Sequence, residues 1–183
     1  MSQYPKTAKL LFCALFAALT AVCSFISIPL PFTPVPVNLA TLSVFLAGGL
    51  LGGRYGAASQ MVYLLLGAFG APVFHNFTGG FGILAGPTGG YIIGYIAAAF
   101  VTGLIVELRK GKCSWGILLP AMLAGLLSCY LLGTVWFMLL TGTGLAASLV
   151  TCVFPFLPGD GLKILAAGFL IKTLRPVLQK SRI

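Results

Sequence analysis

The sequence predicts an all-α integral membrane protein of six transmembrane helices, with both termini cytoplasmic and Pro- and Gly-rich extracellular loops. Three observations predict it. Hydrophobic residues make up 59% of the 183 residues and charged residues only 7%, and the mean hydropathy is +1.08. A soluble domain carries roughly 25% charged residues, so eleven basic and two acidic side chains are too few to clothe a water-facing surface. At about 20 apolar residues per span, the length admits around six spans and a single membrane domain over residues 1–183. Finally, ten of the eleven basic residues fall on one side of that map.

Taken in order, apolar runs punctuated by Gly, Pro and charge place spans at residues 9–28, 39–53, 55–70, 88–108, 115–140 and 159–178. The first is too long for a signal-peptide core and is followed by no clean cleavage site. The second and third are short and separated only by Gly52, Gly53 and Arg54, which suggests a helical hairpin or tilted spans. Residues 141–158 contain an apolar stretch too short to cross, ending in Pro155 and Pro158; they read as a half-inserted outer segment.

Lys6 and Lys9 precede the first span, Arg54 lies in the next inner turn, and Arg109, Lys110 and Lys112 follow the fourth. Lys172, Arg175, Lys180 and Arg182 close the chain. An even number of spans puts all ten on one side, which the positive-inside rule makes the cytoplasm of a multi-pass cell-membrane protein. The net charge of +9 is thus a topology signal, not a nucleic-acid one. Membrane lipid is the expected surroundings. The outer connections, residues 29–38, 71–87 and 142–158, contain one titratable group besides cysteine and tyrosine, His75.

Several activities drop out. The five cysteines have no Cys-x-x-Cys spacing and no neighbouring His, so no metal site or disulfide framework is indicated. There is no phosphate loop, no Gly-x-Ser-x-Gly and no paired carboxylates. The chain reads as a non-enzyme with no cofactor.

Glu107, beside Arg109, needs no role beyond a solvated charge. Asp160 and Lys163 stand apart as the one acid and one base at the outer start of the last helix, in Pro155-Phe-Leu-Pro-Gly-Asp-Gly-Leu-Lys163. At i and i+3 they share a helix face, and ionisable groups in a membrane usually face an interior cavity. Either Asp160 is an N-cap or first-turn carboxylate favoured by the helix dipole, while Lys163 reaches the headgroups, or the two form a polar ligand site; the second reading explains why this base alone is kept outside.

The loop His75-Asn-Phe-Thr-Gly-Gly-Phe-Gly82 combines amide, hydroxyl and aromatic groups with glycines that allow close backbone approach. It leads into Gly86-Pro-Thr-Gly-Gly-Tyr91. Asn76 and Tyr91 are candidate ligand contacts, and His75 is a weaker one. Gly86, Gly90, Gly94, Ala98 and Thr102 form a small-residue ridge for helix packing. The segment from Pro29 to Pro36, with four prolines, cannot be helical and suits a lid or a plain linker. In the first span Ala14, Ala17, Ala18 and Ala21 repeat at i, i+3, i+4, i+7, a flat stripe for internal packing or for another membrane protein.

These features, Ala-Leu-Phe-Ala-Ala-Leu-Thr-Ala in the first helix, Gly-Ala-Pro-Val-Phe, Gly-Pro-Thr-Gly-Gly-Tyr and Pro-Phe-Leu-Pro-Gly-Asp-Gly-Leu-Lys, come in an order that resembles the biotin transporter family BioY over nearly the whole chain. The resemblance implies an S component, the substrate-capturing subunit of an energy-coupling-factor transporter. Such a subunit takes up biotin and docks through the alanine stripe onto a transmembrane coupling subunit with two ATP-binding-cassette ATPases. ATP hydrolysis on those partners would topple it inward. By similarity Asp160 and Lys163 match the charged pair used on biotin, Asn76 matches a polar contact, and Tyr91 matches less closely. A stand-alone facilitator for biotin or another small vitamin is the alternative reading.

Overall fold

The computed structural model describes residues 5–29, 31, 33–109 and 114–180. Lys110, Lys112, Cys113 and Arg182, read above from the sequence, lie outside the described residues, as does the side chain of Lys180. Helices dominate: α1 (Lys6–Phe25), α2 (Ala40–Leu51), α3 (Gly53–Ala68), α4 (Phe81–Leu84), α5 (Gly89–Leu108), α6 (Trp115–Thr141), α7 (Leu145–Cys152) and α8 (Leu157–Lys180). Six of them, α1, α2, α3, α5, α6 and α8, fall on the six expected spans. Of these, α1, α5 and α6 are long and apolar enough to cross a bilayer alone, and α7 with α8 makes a further candidate bent by 55°. α2, with 12 residues, reaches only about 18 Å against a hydrocarbon core of about 30 Å.

The bundle is built in the way a lipid solvent requires. In α3 the inward residues are small or polar, Gly53, Gly56, Ser59, Gln60, Tyr63 and Gly67, whereas Met61, Val62, Leu65 and Leu66 face out. Lipid is as apolar as leucine, so burying leucine gains little there, while buried polar groups gain interhelical hydrogen bonds. α2 lacks a polar face and is buried almost throughout, as expected of a helix that is apolar all round. It packs among α1, α3, α5 and α8.

Small residues set the interhelical distances. A Cβ at Gly133 would fall on the Tyr91 ring, and one at Gly94 would meet Cys129 at 3.0 Å. The expected ridge on α5 therefore packs against α6, and Thr102 adds a hydrogen bond to the Ala121 carbonyl at 3.3 Å. Between α2 and α3 the chain reverses at Gly52, whose φ of 87° suits a residue without Cβ. The first turn of α3 then folds back on α2, with Gly56 against Gly48, and so forms the expected hairpin.

The described basic residues, Lys163 excepted, gather at one end of this bundle. Lys9 lies over the Tyr55 ring at 5.5 Å, and Lys172 over Trp115 at 5.7 Å. Arg175 donates to the Gly49 carbonyl at 2.9 Å, one of the four carbonyls left open at the end of α2. Glu107 is exposed beside Gly52 at the same end.

At the other end the proline segment is closed by a short antiparallel ladder of β1 (Ser27–Ile28) and β2 (Val37–Asn38). Residues 71–80 fold tightly around Phe74, which is fully buried and fills the space left by Gly67. Gly80 closes this turn by donating to the Gly67 carbonyl at 2.7 Å.

Candidate functional site

α8 begins two residues earlier than the expected span, with Pro158 in its first turn, where a missing N–H costs nothing. Asp160 therefore lies inside the helix. Its backbone N–H donates to the Phe156 carbonyl at 2.8 Å, and its carboxylate turns to other side chains. Asp160 is thus not the N-cap, but it does stand in the first turn, where the helix dipole favours a carboxylate.

The carboxylate is 3% exposed and takes three hydrogen bonds. Lys163 Nζ reaches Oδ1 at 2.8 Å and Thr41 of α2 donates to the same oxygen at 3.1 Å. The Tyr130 hydroxyl of α6 donates to Oδ2. Lys163 is itself 7% exposed. Removing one partner of such a buried pair typically costs about 3–5 kcal/mol, because the other charge is stranded; the two hydroxyls add hydrogen bonds to the carboxylate from α2 and α6.

Around the pair lies a cavity of about 600 Å³ of empty space, part of it open to the outside. Four tyrosines, Tyr63, Tyr91, Tyr95 and Tyr130, form much of its wall, with Asn38, Thr41 and Ser24 as further polar groups. Most of the phenols are oriented by the protein: Tyr63 donates to Ser24 at 3.2 Å, Tyr91 to the Cys152 carbonyl at 3.3 Å, and Tyr130 to Asp160. Each thus presents a fixed ring face to a ligand. Val35 and Pro36 of the proline segment line one side.

Of the expected site residues, Asp160, Lys163 and Tyr91 come together here, and His75 joins them on the cavity wall. Burial pushes the His75 imidazole below its ordinary pKa of 6.5. Asn76 does not line the cavity. It is exposed in a left-handed turn with φ 53°, and its Oδ1 accepts from Ser27 at 3.0 Å. It acts on the wall indirectly, tying the loop to β1, while the next residue, Phe77, stacks on Phe25 at 4.2 Å.

The alanine stripe is divided. Ala17 and Ala21 are buried against the bundle, whereas Ala14 and Ala18 face outward beside Leu11, Leu15 and Val22. A helix turns 100° per residue, so four positions at this spacing cover an arc wide enough to straddle the edge of the contact.

Sequence reasoning missed Thr41, Tyr130, Tyr63, Tyr95, Asn38 and Ser24. For Thr41, Tyr130, Tyr63, Tyr95 and Ser24 the signal was present as hydroxyl side chains inside apolar spans, where polar groups tend to face an interior cavity; Asn38 lies in the proline-rich connection, where an amide is ordinary.

The BioY family model matches residues 1–180. The biotin transporter BioY of Rhodobacter capsulatus is 39% identical over 170 residues, spanning 87% of this chain and 89% of that protein. The biotin transporter BioY of Thermotoga maritima is 46% identical over 125 residues, spanning 68% and 71%. The solved structure of an S-component for biotin from an ECF-type ABC transporter superposes with a TM-score of 0.87 at 30% identity, covering 96% of this chain and 95% of that one.

Proposed function

This chain belongs to the BioY family, and we propose that it captures biotin with high affinity and carries it across the cell membrane as the S component of an ECF-type ABC transporter. The observation that carries this reading is the buried Asp160–Lys163 pair in a tyrosine-walled cavity. Biotin offers a ureido ring with two N–H donors and one acceptor, an apolar bicycle and a carboxylate tail. Asp160 and Lys163 supply one charge of each sign, two further donors on the Lys163 nitrogen can meet an acceptor, and the phenol rings suit the bicycle.

The proposed topology takes α1, α2, α3, α5, α6 and α8 as six spans of one transmembrane unit, residues 1–183, with both termini in the cytoplasm and the cavity facing out. Supporting it is the gathering of Lys9, Lys172 and Arg175 at the end opposite Asp160. A cysteine placed at Ser2 should then label only after permeabilisation.

Uptake against a gradient needs an energy source, which this reading assigns to partners: a transmembrane coupling subunit and two ATP-binding-cassette ATPases. The proposed docking surface is the outward part of α1, Ala14 and Ala18, where small side chains allow close approach. Titrating the purified protein with biotin and a panel of other vitamins tests the substrate, and saturable binding selective for biotin is expected. A flat biotin isotherm would overturn the proposal. Biotin uptake in cells lacking the coupling module would favour the stand-alone facilitator.

A further inference from the structure

Below the cavity, where α1, α2 and α3 meet, lie four fully buried polar side chains: Thr20, Ser43, Ser59 and Gln60. Thr20 donates to the Phe16 carbonyl at 2.8 Å and Ser59 to the Gly56 carbonyl at 2.7 Å. With its proton given away, Thr20 can only accept at 2.9 Å from Ser43. The Gln60 amide nitrogen donates to Thr20 at 3.1 Å and to Ser59 at 3.2 Å. Every proton in the cluster is thereby used, and one atom has no partner at all: Gln60 Oε1, which no protein donor reaches among the described residues.

Turning the amide over does not remove the mismatch. It would strand the NH2 group and set Oε1 against two hydroxyl oxygens whose protons are committed to carbonyls. Such polar groups are rarely left unpaired inside a protein, and in a bilayer interior bulk water is not at hand. The cluster has surplus acceptors and no surplus donors: Oε1 has both lone pairs open, and Ser43 and Ser59 each retain acceptor capacity. A species bringing two protons fits this demand, and two to four polar partners are what a buried water needs.

We propose that Gln60 and its hydroxyl neighbours form a buried water site that joins α1 to α2 and α3. The site sits one helical turn from the Ser24–Tyr63 hydrogen bond on the cavity wall. It makes Gln60 a positioning residue for α1, and it does not depend on the identity of the ligand.

The full chain in detergent or nanodiscs, with side-chain 15N-glutamine labelling, tests this directly. The sequence has only three glutamines, Gln3, Gln60 and Gln179, so the Gln60 amide signals are assigned by elimination with Gln3→Ala and Gln179→Ala. A cross-peak between the Gln60 NH2 and a long-lived water is expected, and its absence overturns the proposal. Thermal unfolding gives a second reading. Unfolding should be the same in sodium chloride and choline chloride; a sodium-specific rise that Gln60→Met abolishes would replace the water with a cation.

Discussion

The phenol of Tyr130, in the C-terminal half of α6, donates a hydrogen bond to Oδ2 of Asp160 in the first turn of α8. Thr41 completes the arrangement from α2, so three helices converge on one carboxylate. A ligand group that approaches Asp160 meets an ion already held in place, which lowers the ordering cost of binding.

Tyr130→Phe keeps the ring and removes that donor. A charge-assisted hydrogen bond is typically worth about 1.5–3 kcal/mol, so biotin affinity should fall about ten- to a hundredfold, as read by calorimetry. Thr41→Val removes the second hydroxyl donor, with a smaller effect expected because Lys163 still holds Oδ1. Wild-type isotherms for both variants would mean that the carboxylate needs no orientation from α2 or α6.

Asp160→Asn and Lys163→Met should each weaken biotin binding by about ten- to a hundredfold, the range of a lost charge-assisted bond. The double variant should lose less than the sum, since each single change strands the other buried partner. Additive losses in the double-mutant cycle would show that the two groups act on ligand separately.

The pair was legible in the sequence because it broke a rule: one acid and one base stood on the side kept free of charge. The same contrast was not available for Tyr130 or Tyr95, since tyrosine is common in membrane helices and carries no formal charge. Only the packing of α5 on α6, set by Gly94 and Gly133, shows that their rings share a cavity. The place of Asn76 was hidden for another reason. Composition marks it as a polar residue in a glycine-rich loop, but its left-handed backbone, which turns it towards Ser27, follows from tertiary closure around Phe74 and not from the loop's own composition. The burial of α2 was not legible either: hydropathy marks it as an apolar segment, but only the packing shows that its surface is spent on contacts with four other helices.

His75 gives a pH signature. Burial holds its folded-state pKa below the ordinary 6.5, so between the two values the unfolded chain binds a proton that the folded chain does not. Stability must rise with pH across that window and level off above it. Unfolding temperature should therefore be flat above about pH 7 and decline as pH falls below 6.5. His75→Gln should flatten that part of the profile, and an unchanged profile in the variant would assign the acid limb to other groups.

The divided alanine stripe separates docking from folding. Ala14 and Ala18 face outward, and Ala17 and Ala21 face the bundle, so tryptophan at the two kinds of position should fail in different ways. With Ala14→Trp and Ala18→Trp the bulk projects into lipid. The isolated protein should keep its unfolding temperature and its biotin affinity, because the cavity lies at the other end of α1 near Ser24, but it should no longer copurify with the coupling subunit. Ala17→Trp instead drives a large ring into the buried contact, where overpacking costs about 1–3 kcal/mol or more, and should lower the unfolding temperature before any partner is added. If Ala14→Trp and Ala18→Trp also lost stability, α1 would be packing on its own bundle through that face. If they assembled normally, the docking surface would have to be sought elsewhere on the lipid-facing side.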